Sequence, residues 1–155
     1  MNRLAALGAV AACVSLTGCV EAPPGIPLGA VSSRSAPYAV SVLAPRDAPR
    51  AQGVAGSLDS HVVQDTSLTL AGWAPEPAGA LVVVAAVPLT LVSQRRQRRP
   101  DAARALGPGH SDEIGFSLQF ASSARGPLDV CVLFEPPGGG SILLAGSSPT
   151  LCPPR

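Results

Sequence analysis

Two short polar stretches contain most of the side chains that could do chemistry in this 155-residue chain. The first holds Arg95, Arg96, Arg98 and Arg99, and the second is the run HSDE at residues 110–113. A guanidinium binds a phosphate or a carboxylate through two parallel hydrogen bonds, so the arginines are candidates for binding an anion. An imidazole next to carboxylates could hold a divalent metal or serve in acid–base catalysis.

The arginine stretch has three interpretations. Nucleic acid is disfavoured, because no aromatic residue lies nearby to stack on bases and because 11 basic residues against 10 acidic ones give no strong basic field. The second is an anionic surface of lipid headgroups or lipopolysaccharide, near which each arginine contributes about 1 kcal/mol. The third is a solvated loop between strands, which needs no ligand.

The HSDE run supports neither a metal site nor a catalytic site by itself. Three ligands from one loop are too few for a metal without distant partners, and His61 is the only other histidine. Ser111 lacks the second glycine of a nucleophile elbow. Asp59 and Asp129 do not form an evident carboxylate pair. We therefore predict no catalytic residue, no metal and no cofactor.

The first 18 residues have the features of a signal peptide. Arg3 gives a positive start, and the apolar run at residues 4–16 is shorter than the roughly 20 residues that cross a bilayer. The run ends in LTGC at residues 16–19 (Leu16, Thr17, Gly18, Cys19), which resembles the lipobox of bacterial lipoproteins. The resemblance implies cleavage before Cys19 and attachment of acyl chains to this residue. An ordinary secretory signal with an incidental cysteine is the alternative.

Lipid on Cys19 would anchor the protein to a membrane of the cell envelope. An aspartate after the lipidated cysteine is typical of retention in the inner membrane of Gram-negative bacteria. Val20 stands there instead. If the source is Gram-negative, Val20 therefore favours the outer membrane, on its periplasmic face or at the cell surface.

The remaining cysteines predict a disulfide. Cys13 leaves with the signal peptide and Cys19 takes lipid, so that Cys131 and Cys152 remain. An even pair in an exported domain favours a disulfide, and two free or metal-bound thiols are the alternative. A closed loop of about 20 residues stabilises a fold by about 3 kcal/mol on the chain-entropy model.

The chain after the signal peptide divides into two parts. Residues 19–52 are rich in Pro, Ala and Ser and predict a lipid-anchored linker without fixed structure, in which residues 38–44 alternate and could add an edge strand. Residues 53–155 show short apolar runs between turn signals, which predicts an all-β fold, a single Ig-like β-sandwich. The expected strands cover residues 67–73, 80–87, 115–121, 128–135 and 141–145.

The aromatic residues are expected in the core, because the chain has only one Trp and three Phe. Trp73 is out of phase with the leucines that precede it, at positions 68 and 70. A bulge at Gly72, or burial on both faces of the strand, would explain this phase.

Five short motifs resemble, in their order, an extracytoplasmic β-sandwich module of bacterial cell-surface and secreted proteins. They are GSLD at 56–59, GWA at 72–74, RPD at 99–101, GF at 115–116 and VCV at 130–132. The resemblance covers about residues 53 to 152 and implies an accessory or display role.

The resemblance also divides the arginine stretch. Arg99 falls in the RPD motif and belongs to the scaffold, and Asp101 is expected to cap a short helix at residues 102–106 that ends at Gly107. The arginines outside the motif, Arg95, Arg96 and Arg98, are the candidate contacts to an anionic surface.

The sequence thus predicts a lipid-anchored envelope protein with a non-catalytic domain. Its expected partners are the membrane, through Cys19, and an envelope protein, an anionic lipid or lipopolysaccharide, with no nucleic acid. The alternative is a small envelope hydrolase or an accessory subunit of an envelope enzyme. That alternative requires His110 and Asp112 to meet a distant Ser or Asp in one pocket.

Overall fold

The computed structural model describes residues 36–152 and confirms the predicted all-β fold. The strands are β1 (Ala39–Leu43), β2 (Val54–Gln64), β3 (Ser67–Trp73), β4 (Ala80–Ala85), β5 (Leu89–Gln97), β6 (Gly115–Ser122), β7 (Val130–Glu135) and β8 (Ile142–Ala145). The α-helix found among these residues is α1 (Pro100–Leu106).

The strands form one hydrogen-bonded sheet in the order β1-β4-β7-β8-β2-β3-β6-β5. The parallel pair β8–β2 joins the two halves of this sheet through two paired positions. The sheet is strongly curved and nearly closed. Side chains from both of its edge strands, β1 and β5, therefore pack into one core. The other parallel pair is β1 with β4.

The main core lies on the concave face of this sheet. It contains the phenylalanines at 116, 120 and 134 and the leucines of β3, as the alternation of β3, β6 and β7 predicts. Apolar side chains at every second position share one face of a strand, so β3, β6 and β7 each contribute one row of side chains to this core. Phe116, Phe120 and Phe134 are all fully buried.

A second, smaller core covers the outer face of β4 and β7. Val82, Val84 and Leu133 point away from the main core and pack with Ala51 and Cys152. Strand β4 is buried on both faces, which explains its continuous run of apolar residues. The predicted disulfide between Cys131 and Cys152 is present, and it holds the C-terminal segment against this outer face.

The folded domain begins earlier than residue 53. Strand β1 lies inside the stretch predicted to be linker, pairs with β4 along its whole length, and follows the buried Tyr38. It is the edge strand that the alternation at residues 38–44 indicates, and the prolines around it hide its place in the domain. The signal peptide, the lipobox and residues 19–35 of the linker lie outside the described residues.

Two local expectations are corrected by the sheet and the helix. Strand β3 is regular, with no bulge at Gly72; Trp73 faces outward and packs against α1. Helix α1 begins at Pro100, so that Arg99 takes the N-cap position without a capping side-chain bond and Asp101 lies in the first turn. A proline in the first turn needs no N–H partner, which explains the earlier start. Gly107 ends the helix as expected.

Candidate functional site

Half of the arginine stretch lies in a strand: Arg95 and Arg96 belong to β5, and Arg98 and Arg99 lie between β5 and α1. Strand β5 runs from Leu89 through Gln97 and pairs with β6, with an irregularity at Val92. A bulge adds one residue to one strand and shifts which side chains face inward. After this bulge, Gln94 and Arg96 pair with the buried Leu118 and Phe116 of β6, and therefore face the core side.

Arg96 uses its guanidinium inside the domain. It donates hydrogen bonds to the backbone carbonyls of Ala36 (2.9 Å), Glu113 (3.1 Å) and Pro77. These carbonyls belong to three separate segments: the lead into β1, the loop before β6 and the turn between β3 and β4. Three of the five N–H donors of Arg96 are therefore bound to the protein's own backbone, and its contact with an anionic surface stays a prediction.

The ring of Tyr38 packs against the guanidinium of Arg96. The guanidinium carbon lies 3.4 Å from the centre of the tyrosine ring, a cation–π contact. The phenol donates to the carbonyls of Glu76 (2.8 Å) and Ile114 (3.2 Å), and the ring packs edge-on against Phe116 and Phe134. Burial raises the pKa of Tyr38, and the nearby guanidinium of Arg96 opposes this shift. We call Arg96 and Tyr38 the clasp.

Arg98 is paired with an acid from the HSDE run. Its Nε donates to a carboxylate oxygen of Asp112 at 2.9 Å, and a second guanidinium nitrogen contacts the same oxygen. This hydrogen bond raises the pKa of Arg98. The pair is solvent-exposed, so it contributes little to stability. The carboxylate of Asp112 nevertheless neutralises the positive charge of Arg98, which the sequence predicts to contact an anionic surface.

Arg99 joins two of the motifs that carry the family resemblance. Its guanidinium forms a fork on the carboxylate of Asp101, at 3.0 and 2.8 Å, and also contacts the carboxylate of Asp59. Asp59 lies in a bulge of β2, between Leu58 and Ser60, which directs its carboxylate out of the strand pairing. The hydrogen bonds from Arg99 lower the pKa of Asp101 to about 2.

Two glycines of the motifs, Gly115 and Gly72, lie where a side chain would collide with a neighbouring residue. A Cβ at Gly115 would lie 2.7 Å from Cγ of Arg99, and a Cβ at Gly72 would lie 2.1 Å from the carbonyl oxygen of Ser57. Real Cβ atoms do not approach other atoms this closely. The GSLD, GWA, RPD and GF motifs therefore assemble into one structural region, with close strand packing on one side and the Arg99 ion pairs on the other.

Arg95 is the one of the three candidate arginines that keeps a free guanidinium among the described residues. It lies on the outer face of β5, opposite Ser117, and is exposed. A single arginine near an anionic surface contributes about 1 kcal/mol, which is too little to hold a domain there.

The HSDE run does not form a catalytic arrangement. Asp112 is bound to Arg98, and the hydroxyl of Ser111 accepts a hydrogen bond from the backbone N–H of Glu113 at 3.1 Å. His110 is exposed and bonds to none of the described residues. Across residues 36–152, no cluster of three His, Cys, Asp or Glu residues is placed to hold a metal ion.

A cleft that the sequence does not indicate lies at the opposite end of β6 from the clasp. It has a volume of about 670 Å³ and is lined by Val63, Asp65, Thr66, Arg125, Gly126 and Pro127. Val63 lies at the end of β2, Asp65 and Thr66 form the turn between β2 and β3, and the other three residues belong to the loop between β6 and β7. Neither segment contains a recognisable sequence motif. The cleft is therefore visible only in the folded structure, where the two segments lie next to each other.

Comparison of the chain with protein-family models, curated proteins and solved structures gives no match. Between residues 36 and 152, the single α-helix lacks the length and the hydropathy needed to cross a bilayer. The properties of the domain must therefore be argued from its own residues.

Proposed function

We propose that this protein is a lipid-anchored component of a bacterial cell envelope whose β domain is a non-catalytic structural or partner-binding module. The anchor is Cys19 of the LTGC lipobox, and the linker after it leads into the domain ahead of β1. The outer membrane is the proposed location if the source is Gram-negative, in line with Val20.

The disulfide is the observation that carries the proposal. Cys131 and Cys152 are both buried, and their bond attaches the C-terminal segment to the outer face of β7. Structural disulfides persist in oxidising compartments and are rare in the cytosol. A disulfide-closed domain therefore supports export, and the lipobox provides a matching signal and anchor.

The use of the polar side chains supports a role without catalysis. A nucleophile, a base and a residue that orients the base must lie within hydrogen-bond reach of one another. In the HSDE run, Ser111 is bonded to the backbone of its own turn and Asp112 to Arg98. Both side chains are used locally, as expected for a scaffold that displays a surface.

The anchor is tested by fatty-acid labelling of the cysteine variants Cys19→Ala and Cys13→Ala. In cells fed an alkyne-bearing fatty acid, the wild-type chain and Cys13→Ala should be labelled, whereas Cys19→Ala should not. Cys13 is a matched control because it lies in the apolar core of the same signal. Labelling is the primary readout, since an uncleaved signal segment can itself retain a variant in the membrane fraction. Labelled Cys19→Ala would refute the anchor.

The partner-binding role is tested by crosslinking in intact envelopes. The wild-type protein should give discrete crosslinked species, and cells that lack the protein should give none of them. A protein that stays monomeric at every crosslinker length would leave the structural role alone standing.

A further inference from the structure

The cleft at the end of β2 and β3 has the size of a small-molecule site. Its volume of about 670 Å³ lies within the range of about 300–1,000 Å³ typical of ligand pockets. One wall is the turn formed by Asp65 and Thr66, and the other is the loop formed by Arg125, Gly126 and Pro127.

Ser122, at the end of β6, fixes both walls of the cleft. Its backbone N–H donates to the carbonyl of Thr66 at 2.7 Å, which holds the turn. Its hydroxyl accepts from the backbone N–H of Ala124 at 3.1 Å, which holds the start of the loop. Ser122 is buried, and so is Leu128 at the far end of the loop. The two walls are therefore held in place before any ligand arrives.

The cleft is lined by one acidic and one basic residue whose side chains have no partner within the described part of the chain. The side chains of Asp65 and Arg125 form no hydrogen bond or ion pair with any residue between 36 and 152. This contrasts with Arg96, Arg98 and Arg99, whose guanidinium groups are all engaged. Opposite charges that flank a cleft without pairing to each other are available to a ligand that bears both charges.

Asp65 stands at a position where glycine would be less strained. Its φ of 51° is in the left-handed region, and it is the only non-glycine residue with positive φ between 36 and 152. Such a conformation costs free energy in a residue with a Cβ, and turns of this kind favour glycine. The turn thus holds a carboxylate at the rim of the cleft at a cost in backbone conformation.

We propose that this cleft binds a small zwitterion of the amino-acid or short-peptide class. The carboxylate of the ligand pairs with the guanidinium of Arg125, and its ammonium group pairs with the carboxylate of Asp65. Val63 and Pro127 offer an apolar surface for a short side chain between the two charges. The proposal does not depend on the lipid anchor, and it holds for an enzyme accessory subunit as well as for a display module.

The experiment is a titration of the full-length chain in detergent with L-alanyl-L-alanine, followed by ligand-observed and protein-observed NMR. Two analogues each remove one charge: N-acetyl-alanyl-alanine has no ammonium group, and alanyl-alanine amide has no carboxylate. The dipeptide should give saturable shifts at Asp65, Thr66, Arg125 and Gly126. Each analogue should bind about two- to fivefold more weakly, because it lacks one ion pair and a solvent-exposed ion pair contributes little.

Two variants assign each charge of the ligand to its residue. Asp65→Gly should abolish the difference between the dipeptide and its N-acetyl analogue, and it should not destabilise the fold because it relieves the positive φ. Arg125→Gln should abolish the difference between the dipeptide and its amide. Arg95→Gln, which changes an exposed arginine on β5, is the matched control and should bind like the wild type.

Three results would overturn the proposal. The first is the absence of saturable shifts up to the solubility limit of the dipeptide. The second is equal binding of the dipeptide and both analogues, which would mean nonspecific contact. The third is equal weakening by Arg95→Gln and Arg125→Gln, which would place the effect outside the cleft. None of these results would bear on labelling of Cys19, so the two proposals fail separately.

Discussion

The guanidinium of Arg96 lies 3.4 Å from the centre of the Tyr38 ring, and this contact joins the two edge strands of the sheet. Arg96 belongs to β5 and Tyr38 directly precedes β1, so the pair bridges the gap that strand pairing leaves open. The three backbone carbonyls that Arg96 also binds fix the adjoining turns. The clasp therefore substitutes for the hydrogen bonds that would close the sheet.

Replacing Arg96 should weaken the fold far more than replacing its neighbour. We expect Arg96→Gln to lower the free energy of unfolding by about 2–4 kcal/mol, because the cation–π contact is lost and three backbone carbonyls, two of them part-buried, lose a charged donor. Arg95→Gln, on the outer face of the same strand, should change it by less than about 0.5 kcal/mol. Urea unfolding followed by Trp73 fluorescence measures both. Equal effects of the two variants would contradict the clasp.

Gly72 should not tolerate even a methyl group. Its Cβ would lie 2.1 Å from the Ser57 carbonyl oxygen and 3.0 Å from Cα of Leu58, so that β2 and β3 would have to separate. We expect Gly72→Ala to destabilise the domain by about 1–3 kcal/mol or more, as overpacking does. The melting temperature and the urea midpoint both report the loss.

Gly138→Ala is the matched control for Gly72→Ala. No atom lies within 4 Å of the position that its Cβ would occupy. The free energy of unfolding of Gly138→Ala should stay the same or rise by up to about 1 kcal/mol, because alanine restricts the unfolded chain. A loss equal to that of Gly72→Ala would show that the close approach of β2 and β3 is not the cause.

Removing the disulfide should cost stability without changing the sheet. The double variant Cys131→Ala, Cys152→Ala should lose about 2–4 kcal/mol, because the unfolded chain is no longer restricted by the crosslink. Circular dichroism should still show the β fold, since the outer core around Val82 and Val84 remains. Reductant should destabilise the wild type and leave the double variant unchanged. If the wild-type protein were equally stable with and without reductant, this result would contradict the Cys131–Cys152 disulfide.

The Arg99–Asp101 pair should appear in the acid stability of the domain. Arg99 holds the pKa of Asp101 at about 2, below its ordinary 3.8. A carboxylate whose pKa is lower in the folded state stabilises the fold above the unfolded pKa, and this contribution is lost as the pH falls from about 4 to about 2. Asp101→Asn should remove this part of the pH dependence.

The measurement for Asp101 is the urea midpoint of both proteins between pH 5 and pH 2. The curve of Asp101→Asn should fall less steeply than that of the wild type below pH 4, because asparagine takes up no proton. Parallel curves over this interval would show that the pair with Arg99 is not maintained in solution. Asp47→Asn, at an exposed pair with Arg46, is a control that should leave the curve unchanged.

Sequence patterns predicted the parts of the fold that follow from local periodicity. The alternation at residues 115–121 identified β6 and its inward phenylalanines, and the apolar run at residues 80–87 identified a strand covered on both faces. In both strands, burial on one or both faces leaves a regular trace in the order of residues. The disulfide was predicted in another way, because Cys131 and Cys152 are the even pair that remains in an exported domain.

Strand β5 and the clasp left no such trace. After the bulge at Val92, the inward positions of β5 are Gln94 and Arg96, so polar side chains stand where an apolar alternation would mark a strand. The prolines around Tyr38 likewise made β1 resemble linker. Arg96 can occupy its inward position because backbone carbonyls from three distant segments accept its hydrogen bonds, and these segments are separated from it in sequence.

By itself, the sequence determined the all-β class, the positions of most strands along the chain and the cysteine pair, because these depend on neighbouring residues and on composition. The fate of the arginines was decided only by the tertiary structure. Arg95, Arg96 and Arg98 are nearly adjacent in the chain, yet one is exposed, one closes the sheet and one pairs with Asp112. Charge interactions depend on which groups meet in space, and the folded chain alone sets those distances.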